Sequence, residues 1–91
     1  MRYIVAYDVS DDDRRARLAA VCAAYGDRIQ RSVFECTLDP LELDEMVQRA
    51  SLHVAAETDS LHIVPVCATC HQKRIVIGQA EIPPEVPWWV V

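Results

Sequence analysis

Two places in this 91-residue chain carry side chains whose types and spacing could do chemistry. One is the run Cys67-Ala68-Thr69-Cys70-His71. Two thiols three positions apart with an adjoining imidazole are compatible with haem attachment, with part of a zinc site, or with a redox couple. The other is Asp8, an acid at the end of an otherwise apolar run and just ahead of Asp11, Asp12 and Asp13. Hard oxygen donors with no thiol nearby suit Mg2+ or Mn2+, held by few carboxylates and several waters. A two-fold axis near this point would bring two Asp8 side chains together, where they would share a proton or bind a divalent cation. Taken alone, Asp8 is better read as a turn-forming or capping residue.

Each reading of the thiol run makes demands on the rest of the chain. Haem attachment needs export and maturation outside the cytoplasm, yet the opening MRYIVAYDVS has no signal-peptide pattern. The methionines are Met1 and the core-facing Met46, so no haem is expected. Zinc takes four ligands, and Cys67, Cys70 and His71 leave one to find from Cys36, His53, His62 or a second copy. Zinc is therefore disfavoured. A redox couple normally begins a helix, whereas this pair follows a strand pattern. The expected role is two reduced thiols shaping a turn. No apolar run approaches the roughly 20 residues needed to span a bilayer, so a cytoplasmic protein away from membranes is expected, with Cys22 and Cys36 also reduced.

The net charge of -5 argues against a protein that coats nucleic acid, but the charges are not evenly spread. Arg14, Arg15, Arg17, Arg28 and Arg31 crowd one stretch, while residues 35 to 59 hold seven acids against Arg49 alone. The first region could face phosphates and the second could not. Asp11 stands four before Arg15, and Asp13 four before Arg17, so these arginines could equally be paired on a solvated helix face. Arg14 instead extends the apolar stripe toward the end of the first strand and Asp8. A divalent cation beside arginines is what phosphodiester hydrolysis needs: the metal activates water and guanidinium forks hold the backbone. No second His or Glu has an obvious claim as general base.

The elements that must position these residues follow from periodicity. Residues 2 to 9 form a strand with Tyr3, Val5, Tyr7 and Val9 on one face and Ile4, Ala6 and Asp8 on the other. Ser10 and Asp13 resemble a capping box. The helix they open carries Leu18, Val21, Cys22 and Tyr25 on one stripe, and Gly26 is placed to end it in a left-handed turn. Residues 28 to 38 read as extended, divided near Gln30 to Ser32 by a tight or bulged bend. Asp39-Pro40-Leu41-Glu42 opens a second helix, with Leu43, Met46, Val47 and Ala50 at helical spacing, running to about residue 53. Residues 61 to 66 form a fourth strand, an edge strand because of Pro65, and residues 74 to 78 a fifth.

The order β-α-β-β-α-β predicts an α+β ferredoxin-like fold, with both helices on one face of an antiparallel sheet. The other face needs a cover. Since 52% of the chain is hydrophobic, more than so small a domain hides alone, a homodimer with sheets packed face to face is expected. Residues 1–78 make the domain, and residues 79–91 are an extension expected to dock as added strand on its own or its partner's sheet edge.

YDVSDDDRRARL, then RIQRSVFECTL, DPLELDEM, IVPVCATC and a closing IVIG, resemble the CRISPR-associated endoribonuclease family, the small second protein of the spacer-acquisition pair. The likeness is carried above all by Tyr7-Asp8-Val9-Ser10-Asp11 and by Arg28-Ile29-Gln30-Arg31-Ser32-Val33-Phe34. It implies a ferredoxin-like homodimer with a metal-binding Asp8 facing its two-fold mate. It also implies activity or nucleic-acid contact at Tyr7, Arg15, Arg17, Arg28 and Phe34, with Ser10 in support. It further implies a role in antiviral defence, with an integrase subunit and RNA or double-stranded DNA as partners. Members include metal-dependent nucleases and non-catalytic scaffolds that join integrase dimers, and a stand-alone ribonuclease of the related toxin type is a further alternative. A Cys-x-x-Cys after a proline is a familiar variant in the family and does not carry its activity.

Overall fold

A computed structural model describes residues 1–78 as β1 (Arg2–Asp8), α1 (Asp12–Tyr25), β2 (Gly26–Gln30), β3 (Val33–Thr37), α2 (Pro40–Ser51), β4 (Ser60–Val66) and α3 (Ala68–Gln72). The strands form one antiparallel sheet in the order β2-β3-β1-β4. Alternation along β1 sends Val5 and Tyr7 toward α1 and α2, where they meet Leu18, Val21, Cys22, Phe34, Cys36, Met46 and Ala50 in one buried cluster. Phe34, Leu18 and Met46 are its largest fully buried side chains, each contributing about 1.5–3 kcal/mol of apolar burial. The ferredoxin-like arrangement expected from the sequence is the one observed, including the bend between β2 and β3 at residues 31 and 32 and the edge position of β4.

Local chemistry explains the boundaries. Asp11, not Ser10, caps α1: its carboxylate accepts the Arg14 N–H at 2.9 Å, while Ser10 is drawn away by Asp59. Asp39 forms the full capping box of α2 with Glu42, the two bonds measuring 2.8 and 3.0 Å. That helix ends at Ser51, short of residue 53, with Leu52 as its cap.

Gly26 departs from expectation. It is extended (φ -169°, ψ -162°) and begins β2 rather than turning left-handed. A glycine is needed there because of proximity: a Cβ would collide with the Glu35 carbonyl oxygen and lie 2.6 Å from Cys36 Sγ.

Two further expectations fail at the C-terminal side. Residues 67 to 71 are not a simple turn after a strand: Cys67 caps a short helix, α3, which holds Ala68 to Gln72. Residues 74 to 77 form no strand. The reason is an acid on the sheet. Glu35 alternates with Phe34 and Cys36 and so faces away from the helices, yet it is 4% exposed. Arg74 reaches its Oε2 at 2.7 Å and His71 Nδ1 lies 3.3 Å from Oε1, which draws the chain over the sheet face instead of along an edge. Ile75 and Ile77 are left largely exposed. Residues 79–91, the expected docking extension, lie outside the described residues.

The close approach at Gly26 makes a direct prediction. Gly26→Ala should destabilise the protein by about 1–3 kcal/mol, because backbone and a buried sulfur stand where the methyl would go. A lower urea midpoint with an unchanged slope is the expected result.

Candidate functional site

The loop after β1 is organised by a residue that periodicity does not single out. Asp59 precedes β4 and its side chain is closed off from solvent. It accepts the Ala55 N–H at 2.8 Å, the Ser10 N–H at 3.1 Å and the Ser10 hydroxyl at 3.3 Å, and it pairs with Arg14 at 2.9 Å. These donors, the Ala55 amide foremost, hold the Asp59 carboxyl far below the usual carboxylate range. The chain that carries Asp8 and Ser10 is thereby pinned to the start of β4. Arg14 is committed to Asp59 rather than approaching Asp8. The one signal in the sequence was Thr58-Asp59-Ser60, a polar turn, which says nothing about its distant partners.

On the helix side of the sheet, Tyr7, Asp12, Arg15, Ala16, Ala19, Arg28, Arg31 and Ser32 line a cavity of about 310 Å³. Arg15 donates to the Val9 carbonyl at 2.9 Å and pairs with Asp12, not with Asp11, whose carboxylate is spent on the cap. The Arg28 guanidinium lies 5.1 Å from the Phe34 ring centre, and Phe34 in turn stacks with Tyr7 at 6.3 Å. The Tyr7 hydroxyl is buried at the pocket and has no hydrogen-bond partner among the described residues. Arg31 is exposed at the rim, and Arg17 is exposed outside this lining. The fold therefore gathers Tyr7, Arg15, Arg28 and Arg31 around one hollow, with Phe34 packed against Tyr7 and Arg28 outside the lining, and leaves Arg14 and Arg17 out. Guanidiniums around an unpartnered hydroxyl suit an anion with several oxygens.

Asp8 lies elsewhere. It is exposed and pairs with Ser60 in register, on the face shared with Ile4 and Ala6, opposite to Tyr7. Among the described residues no group of three or more His, Cys, Asp or Glu side chains is arranged to hold a metal. One copy thus offers a single hard carboxylate. That donor fits Mg2+ only where a second copy supplies another and water completes the shell.

The open face also holds the Glu35 cluster, which no sequence pattern announced. Arg2 lies 3.1 Å from Oε1, joining His71 and Arg74. A buried carboxylate amid cations is a means of fastening one segment to another.

A β2-β3-β1-β4 sheet with two helices on one face and an arginine-lined pocket beside α1 and β2 defines a ferredoxin-like α+β domain. The chain belongs to the family described as CRISPR associated protein Cas2, whose sequence profile matches residues 1–74. It is 38% identical over 91 residues to CRISPR-associated endoribonuclease Cas2 4 of Rhodospirillum rubrum, covering 99% of this chain and 73% of that protein. It is 41% identical over 81 residues to CRISPR-associated endonuclease Cas2 2 of Thermus thermophilus, covering 89% and 86%. Among solved structures, hypothetical protein TT1823 from Thermus thermophilus matches with a TM-score of 0.81 at 40% identity, covering 90% of this chain and 95% of that one. Streptococcus pyogenes Cas2 matches with a TM-score of 0.78 at 29% identity, covering 86% and 100%. No helix among the described residues is long and apolar enough to cross a membrane.

The Asp59 hub sets a pH dependence. Its folded pKa lies below the unfolded value, so the stability it contributes is complete above about pH 5 and is lost as pH falls further. Asp59→Asn should lower the denaturant midpoint at pH 7 and flatten its fall between about pH 5 and pH 2. Unfolding curves of both proteins across that range measure the difference.

Proposed function

We propose that this protein serves CRISPR adaptation, the acquisition of spacers in antiviral defence, as a homodimer that binds nucleic-acid backbone and an integrase subunit. The observation that carries this reading is the pocket lined by Arg15, Arg28 and Arg31 together with Tyr7, in a chain of the Cas2 family. Arginine forks only donate and a phenol O–H can donate as well, which matches the non-bridging oxygens of a phosphodiester. Relatives named as endoribonuclease and endonuclease support hydrolysis of that bond.

Catalysis is centred on Asp8. With two copies related by a two-fold axis through the open faces, the Asp8 carboxylates approach each other and together provide the oxygen donors that Mg2+, or Mn2+, requires. The bound ion supplies an activated water and charge neutralisation at phosphorus. The chain's own contribution is to set Asp8 rigidly, through the Ser10–Asp59 bonds of the adjoining loop, and to hold the backbone by arginines.

A specific observation favours a second reading, a non-catalytic scaffold: within one copy Asp8 and the arginine pocket lie on opposite faces of the sheet. A phosphate held in the pocket would then be remote from its own copy's Asp8, as suits a surface that supports DNA rather than cuts it.

Asp8→Ala tested in parallel for Mg2+-dependent cleavage and for spacer acquisition separates the two. Cleavage reduced to background with acquisition lost supports the nuclease; acquisition surviving supports the scaffold. For the pocket, Arg28→Ala and Arg31→Ala should each weaken duplex binding by the reconstituted complex and reduce the slope of log K against log salt by about 0.9 per lost phosphate contact. An unchanged affinity and slope would remove these residues from the interface.

A further inference from the structure

The Cys67–Cys70 pair stands apart from both Asp8 and the basic pocket. The Cys70 amide N–H donates to Cys67 Sγ at 3.4 Å, and the Cys70 thiol donates to the same sulfur. Both side chains are exposed and both are free thiols. Cys22 and Cys36 are buried, and burial pushes their thiols up to about 11 and about 12. Of the four, only this pair combines access with a second sulfur in hydrogen-bond reach. The two members also differ in character. Donors from Cys70 hold the Cys67 thiol below its ordinary value, while giving its proton to Cys67 raises that of Cys70. An accessible sulfur disposed to ionise, beside one that keeps its proton, is the arrangement of an attacking and a resolving thiol.

We propose that Cys67 and Cys70 form a reversible dithiol–disulfide site that exchanges with small disulfides of the glutathione class, and that its state is coupled to the seating of α3 on Glu35. The Cys67 thiolate attacks one sulfur of the small disulfide. A protein–glutathione bond forms, and one glutathione thiolate leaves. Cys70 then loses its proton to solvent and attacks Cys67 Sγ, forming the Cys67–Cys70 bond and expelling the second glutathione thiolate. The two protons and two electrons lost by the protein reappear in two glutathione thiols.

The coupling follows from the chain path. His71 adjoins Cys70, is 5% exposed, and its Nδ1 lies 3.3 Å from Glu35 Oε1. Arg74 reaches the other oxygen at 2.7 Å. A bond between Cys67 and Cys70 closes the same turn of chain that presents His71, so it lowers the entropy cost of seating α3. By reciprocity, seating α3 must favour the disulfide to the same degree. This site does not depend on the nuclease reading, since neither sulfur touches Asp8 or the pocket lining.

The full chain is equilibrated in glutathione buffers of graded ratio, alkylated, and mapped by mass spectrometry. The expected result is reversible loss of two alkylatable thiols, mapped to Cys67 and Cys70, with Cys22 and Cys36 still reduced. Cys70→Ser should stop at glutathione bound to Cys67. Glu35→Gln should move the equilibrium toward the dithiol by about fivefold or more; His71→Ala serves the same purpose if circular dichroism shows that Glu35→Gln does not fold. Absence of the disulfide in the most oxidising buffer, or a glutathione adduct that persists in the native sequence, would overturn the site. An equilibrium constant identical in the native protein, the folded variant and the urea-unfolded chain would overturn the coupling.

Discussion

The carboxylate of Asp59 is the joint on which the functional end of the molecule depends. It collects amides and a hydroxyl from the loop after β1 and the turn after α2, and it neutralises Arg14 of α1. Two stretches distant in sequence, residues 10–14 and 55–59, thus share one anion. Without it Ser10 would be free to cap α1, and the backbone leading out of Asp8 would take another path. The cost of closing this carboxylate off from water is offset by the number and directness of its donors. Position, not reactivity, is what Asp59 supplies.

The sheet separates two kinds of surface. Toward the helices lie Val5, Tyr7, Phe34 and Cys36, ordinary core residues whose burial drives folding. At the margin of that layer, Arg28 lies over Phe34, so the ring that closes the core also supports one of the arginines lining the basic pocket. The opposite face is mixed. Ile4 and Ala6 are half buried there, Val64 is exposed, and Glu35 draws in Arg2, His71 and Arg74. Part of that face is already covered by the chain's own returning segment.

Much of this was legible in the sequence, for local reasons. Period-two alternation in β1 and the Asp39–Glu42 capping box depend on neighbours a few residues away, and they appear where expected. The bend between β2 and β3 was readable from the order of elements, although no Gly or Pro marks it. What escaped depends on long-range pairing. Glu35 looks like a surface acid until two arginines and a histidine from outside β3 converge on it. Residues 74 to 77 have the composition of a strand, but Arg74 is spent on Glu35. Asp59 resembles any turn acid because its partners lie 45 and 49 positions away. The arginines stand out in the sequence as a cluster, yet which of them line the pocket depends on the fold, and Arg14 is drawn off by Asp59.

The bulge in β2 and the proline in β4 act at the two borders of the sheet. Between Arg28 and Gln30 the β2–β3 ladder shifts register, and Pro65 withholds a backbone donor on β4. Among the described residues both strands are edge strands. A regular, flat border would be an open template for any passing extended chain, including partly folded copies of this one. With one border kinked and the other missing a donor, each is a poorer template for strand-on-strand growth.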